Sequence, residues 1–132
     1  MQVLFVEDNE VNRRVIREML RAGGIDMAEA ENGQAGLDMI ATQAFDLILM
    51  DLRMPVMDGL TAIRHIRART DDKAALPVIV ITADDGVSID RDCLAAGADA
   101  VLRKPATMSA LFDAIGAVLM SRGGGAQSMM IA

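Results

Sequence analysis

"LILMDLRMPVMDG", residues 47–59, is the stretch on which the fold turns. Four apolar residues run straight into Asp51; Leu52, Arg53, the loop Met54 to Met57 and an Asp58-Gly59 turn follow. An uninterrupted apolar run of this length reads as a strand covered on both faces, which is the situation of strands inside a parallel sheet. The strand ends in a lone carboxylate, so the question is what stands around Asp51.

Two other runs share this character, "VLFV" (3–6) and "PVIVITA" (77–83). "DMAEA" (26–30) and "DAVLRK" (99–104) are weaker strands, expected nearer the sheet edges. Helices lie between them. Val11, Val15, Ile16 and Met19 share one face of the first, and Leu111, Ile115, Val118 and Leu119 one face of the last. The middle helices are read over 34–42, 59–69 and 88–95. Gly23-Gly24 stops the first helix, and Asp58 is placed as the N-cap of "GLTAIRHI". Strand and helix alternate five times, which predicts an α/β domain with right-handed crossovers and helices on both faces of a parallel sheet.

The bulk numbers agree with one such domain. A chain of 132 residues, 52 % apolar and 24 % charged, buries roughly two-thirds of its unfolded surface and needs no disulfide. The domain is read over 1–121, with 122–132 as a flexible tail or linker remnant. A net charge of −6 argues against nucleic-acid binding by this domain. The single cysteine, Cys93, reads as a small core residue, and no Cys/His cluster for zinc is present. No apolar run approaches the ~20 residues of a membrane span. The expectation is a cytoplasmic domain, or the cytoplasmic part of a membrane-anchored protein. No P-loop or dinucleotide glycine fingerprint occurs.

In a parallel sheet all strands end on one edge, and ligands bind outside those ends. Glu7 and Asp8 follow the first strand, Asp51 the third; Thr82 ends the fourth and Lys104, with Pro105 next, the fifth. Each alone has a plain reading: an Asp after a strand is often a helix N-cap, a Thr a β-branched strand residue, a Lys a solvated strand end. Together they put three acids, a hydroxyl and an ammonium in one cleft. Clustered carboxylates either take up protons or bind a cation. Few oxygen ligands suit Mg²⁺ (or Mn²⁺), which completes its shell with waters and phosphate oxygens. Lys104 is a compact charge for a phosphoryl group and Thr82 a single donor, so the set fits phosphorylation of a carboxylate.

These segments, "VLFVEDNEVNRRVIREML", "DLILMDLRMPVMDGLTAIRHIR", "PVIVITA" and "AGADAVLRKPA", resemble the receiver domain of two-component response regulators over residues 2 to 120. "VEDNEVN" with "MDLRMPVMDG" looks most like receivers attached to hybrid sensor histidine kinases. The resemblance implies a flavodoxin-like (βα)5 fold with strand order 2-1-3-4-5. It implies Asp51 as phosphoacceptor, Asp8 as direct Mg²⁺ ligand, Glu7 as a ligand mostly through water, and the Arg53 carbonyl as a backbone ligand. Thr82 and Lys104 would hold the phosphoryl oxygens, and the Lys104-Pro105 peptide is commonly cis in the family. The family usually has Tyr or Phe three residues before the lysine; here Val101 stands there, so a threonine-to-aromatic switch does not carry over. The donor would be a phosphohistidine on a histidine kinase or histidine phosphotransfer protein. His65, the only histidine, reads as a surface or boundary residue.

Arg53 and Asp84 lie two residues beyond Asp51 and Thr82 and are expected to pair across the rim, screening an acyl phosphate from water. The leading reading is a signalling receiver, monomeric or weakly dimeric, that catalyses only its own phosphorylation and dephosphorylation, within a parent chain that is a hybrid histidine kinase. A stand-alone single-domain regulator is the alternative. An aspartyl-phosphate phosphatase of the haloacid dehalogenase type would carry an acid where Arg53 stands. A pure interaction module would have no need of Glu7, Asp8, Asp51, Thr82 and Lys104.

Overall fold

The computed structural model describes residues 1–121; the tail expected over 122–132 lies outside the described residues. Five strands, β1 (Gln2–Val6), β2 (Asp26–Ala30), β3 (Leu47–Met50), β4 (Val78–Thr82) and β5 (Ala100–Arg103), alternate with α1 (Glu10–Ala22), α2 (Gly33–Thr42), α3 (Gly59–Arg67), α4 (Ile89–Ala96) and α5 (Met108–Leu119). A short 3₁₀ turn, Asp72–Ala75, precedes β4. The sheet is parallel throughout, in the order β2-β1-β3-β4-β5. The weak strands are therefore the edges, where only partial burial is required of them.

The continuous apolar runs divide by strand alternation. Val3, Phe5, Leu47, Leu49, Ile79 and Ile81 point into the core beneath α1 and α5. Leu4, Val6, Ile48, Met50, Val78 and Val80 point to the opposite face, toward α2, α3 and α4. Each central strand is sealed on both sides, which is why no polar residue interrupts it.

Helix positions differ from expectation in two respects. Val11 and Val15 do not join the core: they are 61 % and 47 % exposed, and α1 buries Ile16 and Leu20 instead. The buried stripe is turned toward the C-terminal half of the helix. Val15 is left on the flank facing Pro105 and Ala106 of the β5–α5 connection, across a cavity of about 280 Å³. Helix ends shift by one or two residues: α2 begins at Gly33, α3 ends at Arg67, and α4 spans Ile89–Ala96. Cys93 is fully buried, and burial pushes its thiol pKa up, so it is an inert core residue. His65 is exposed on α3.

Candidate functional site

Sheet register brings the strand ends together. Val6 pairs with Met50 and Thr82 with Arg103, so Glu7, Asp51, Thr82 and Lys104 emerge along one edge. Backbone bonds continue the ladder past the strands: Glu7 N–H donates to Ala30 O at 2.9 Å, Asp51 N–H to Val6 O at 3.0 Å, and Lys104 N–H to Thr82 O at 2.8 Å. The Lys104-Pro105 peptide is cis.

Lys104 Nζ donates to Glu7 Oε1 at 2.6 Å and to Asp51 Oδ1 at 3.2 Å. Glu7, Asp51 and Thr82 are each at least 95 % buried, the only buried polar side chains among the described residues, whereas Asp8 is exposed. Burying two carboxyls side by side has a predictable result. Burial, then the hydrogen bond and repulsion from Glu7, push Asp51 up to about 7 despite Lys104. Glu7 feels burial most, but bonds with Asp51, Lys104 and Asn12 outweigh it and hold its pKa below the usual value. Burial would lower the Lys104 pKa, yet its bond to Glu7 and the two negative charges raise it.

Glu7, Asp8 and Asp51 each offer one carboxylate oxygen, all within 4.8 Å of one another. Hard oxygen donors, two sequestered and one open to solvent, fit a hydrated Mg²⁺ or Mn²⁺. The cleft they line, about 370 Å³, is bounded also by Arg53, Thr82 and Asp84. Arg53 Nη2 donates to Asp84 Oδ2 at 2.5 Å, with the arginine side chain 82 % exposed and the carboxylate 18 %. The Gly86 N–H, then Arg53, hold the Asp84 carboxyl below its usual pKa. Asp84 N–H donates to Thr82 Oγ1 at 3.0 Å, which leaves the hydroxyl proton free to be donated. Val101 packs against the core on the α2–α4 side of the sheet.

The loop after Asp51 is held tightly. Gly59 lies so close to the strand end that an added Cβ would stand 2.2 Å from the Asp51 carbonyl oxygen. Asp58 caps α3, accepting from Thr61 N–H at 2.8 Å. Met57 N–H donates to Pro55 O at 2.7 Å, closing a three-residue turn with Val56 at φ 70°. A β-branched residue in that region is strained, and nothing in the sequence marks it.

Sequence reading also missed Asn12 and Arg13. Asn12 Nδ2 donates to Glu7 Oε1 at 3.0 Å and Arg13 Nη1 to Glu7 O at 2.8 Å. Both sit on the first turn of α1, five and six residues beyond a Glu7 that lies before the helix, so no helical pairing rule marks them.

Comparison with known proteins agrees with this geometry. The sequence profile described as "Response regulator receiver domain" matches residues 3–116. The chain is 38 % identical over 119 residues to response regulator MprA of Mycobacterium avium, covering 90 % of this chain and 51 % of that protein. It is 33 % identical over 117 residues to hybrid signal transduction histidine kinase A of Dictyostelium discoideum, covering 86 % of this chain and 5 % of that one. The chain thus spans about half, or far less, of such relatives. Among solved structures, the receiver domain of sensor histidine kinase PA1611 from Pseudomonas aeruginosa, which has a magnesium ion coordinated in its active site cleft, is 36 % identical with a TM-score of 0.82, covering 89 % of this chain and 96 % of that one.

Proposed function

Because the chain belongs to the response regulator receiver family of two-component signalling, we propose that Asp51 accepts a phosphoryl group from a phosphohistidine on a histidine kinase or histidine phosphotransfer protein. The observation that carries this reading is the meeting of buried Asp51, Glu7 and Lys104, 2.6 to 3.2 Å apart across the lysine, with Asp8 and Thr82 at the same edge.

An Asp51 carboxylate oxygen attacks phosphorus. The new bond is an acyl phosphate, and the P–N bond breaks with its electron pair going to the departing imidazole. Lys104 moves its charge from the acids to the transferred oxygens, and the Thr82 hydroxyl donates to another. Glu7, Asp8 and Asp51, with the Arg53 carbonyl, would hold Mg²⁺, whose charge offsets repulsion between the incoming dianion and the acids. The magnesium in the Pseudomonas relative supports that assignment. Water attack at phosphorus reverses the modification, and the Arg53–Asp84 pair narrows the rim through which water arrives.

Exposed Val15 lines one cavity with Lys104, Pro105 and Ala106; the donor protein docks there, which accounts for a helix α1 that leaves Val15 outside the core. Phosphorylation then biases a protein-interaction surface. The chain works in the cytoplasm as part of a hybrid sensor histidine kinase; the likeness to hybrid signal transduction histidine kinase A supports the kinase context.

Transfer tests the reading. Mixed with a phosphorylated histidine phosphotransfer protein, the wild-type chain should take the label and the Asp51→Asn variant should not. Label retained by a donor that readily phosphorylates another receiver would contradict it.

A further inference from the structure

The backbone N–H, the carbonyl and one carboxylate oxygen of Glu7 are all held. Its N–H donates to Ala30 O, and its carbonyl accepts from Arg13 Nη1 at 2.8 Å. Its Oε1 accepts from both Asn12 Nδ2 at 3.0 Å and Lys104 Nζ at 2.6 Å. Arg13 is itself braced: its Nε donates to Glu29 Oε1 at 3.1 Å, and Glu29, on β2, also takes a two-pronged contact from Arg17 at 3.0 and 2.8 Å. Asn12 N–H is fixed in turn by the Asn9 cap at 3.0 Å.

The two donors on Oε1 respond differently to a cation. Lys104 carries a positive charge, so an ion arriving beside Glu7 repels it and it withdraws toward the phosphoryl position. Asn12 is neutral and has no such reason to leave. It is the donor that keeps the Glu7 carboxylate aimed once the ion is present. Arg13, tied to Glu29, keeps the chain beneath that carboxylate from moving.

We propose that Asn12 and Arg13 are positioning residues of the divalent-cation site: Asn12 orients the Glu7 carboxylate, Arg13 pins the Glu7 carbonyl, and together they set cation affinity through Glu7. The inference rests on the phosphoacceptor reading above. It extends the site from the strand ends onto the first turn of α1 and, through Glu29, to the sheet edge.

Calorimetric titration of the 132-residue chain with MgCl₂, without phosphodonor, tests it. Asn12→Leu keeps the side-chain volume but has no donor, and Arg13→Met removes the guanidinium. Each is expected to raise the magnesium Kd roughly tenfold, the lower end of what removing a ligand-orienting partner does. The half-saturating magnesium concentration for Asp51 phosphorylation should rise in parallel, by more than the rate at saturation falls. Cooperative melting in EDTA checks the fold. Should Arg13→Met not fold, Glu29→Gln, which leaves Arg13 in place without its full brace, should still raise the Kd about threefold. Wild-type affinity in Asn12→Leu, with wild-type protein that binds magnesium, would overturn this inference alone. Absence of magnesium binding by the wild type would overturn it together with the phosphoacceptor reading.

Discussion

Lys104 Nζ lies 2.6 Å from Glu7 Oε1, closer than to Asp51 Oδ1 at 3.2 Å. Without a divalent ion the lysine is the counter-charge of the acid pair, and both need it because both are buried. An ion entering the cleft therefore competes with Lys104. Lys104→Gln removes the competitor while retaining a donor, so magnesium should bind about three- to tenfold more tightly by calorimetry. Phosphorylation of Asp51 should nevertheless slow if, as proposed, that charge follows the phosphoryl oxygens.

The raised Asp51 pKa gives a sign to the pH dependence. In the fold Asp51 titrates near 7, against an ordinary value of 3.8. Between those values the native state holds more protons than the unfolded state, so this group's stabilisation is full below pH 3.8 and is lost as pH rises through 7. In EDTA, Asp51→Asn should gain on wild type across that window and be more stable by roughly 1–3 kcal/mol at pH 8, read from denaturant melts. Magnesium binding should release close to one proton per ion at pH 6 and almost none at pH 8.5, measured in buffers of different ionisation enthalpy.

The Arg53–Asp84 pair is largely solvent-exposed on the arginine side, and such pairs contribute under about 1 kcal/mol. Arg53→Ala should therefore shorten the lifetime of phosphorylated Asp51 by no more than about fivefold. Equal lifetimes would show that the pair does not restrict water.

Two backbone positions around Asp51 should respond in opposite directions. Gly59→Ala places a methyl 2.2 Å from the Asp51 carbonyl oxygen; the loop must shift, at a cost of about 1–3 kcal/mol. Val56, strained at φ 70° and 82 % exposed, has little packing to lose, so Val56→Gly should stabilise by about 0.5–1 kcal/mol. Urea denaturation of both variants measures the pair.

The sheet was legible in the sequence because "VLFV", "LILM" and "VIVI" are buried on both faces, and a polar residue in any of them would face a core. Glu7, Asp8, Asp51, Thr82 and Lys104 were legible for a related reason: in a parallel sheet the residue after each strand has its location fixed by topology. Helical residues lack that constraint. Val11 and Val15 fit an apolar stripe by spacing alone, but a helix can roll, and packing of Ile16 and Leu20 turned those valines outward. Asn12 and Arg13 read as an ordinary polar turn, because what they hold is a side chain and a carbonyl five and six residues back. The conformation of Val56 runs against its own preference, imposed by loop closure onto Gly33, whose N–H donates to Met57 O at 3.2 Å.

The most direct measurement is mass mapping of the chain after incubation with a small phosphodonor and magnesium. One phosphoryl group is expected, on Asp51, absent in EDTA and absent in Asp51→Asn. Wild-type levels of modification persisting in Asp51→Asn, or an unmodified wild-type chain with magnesium bound, would contradict it.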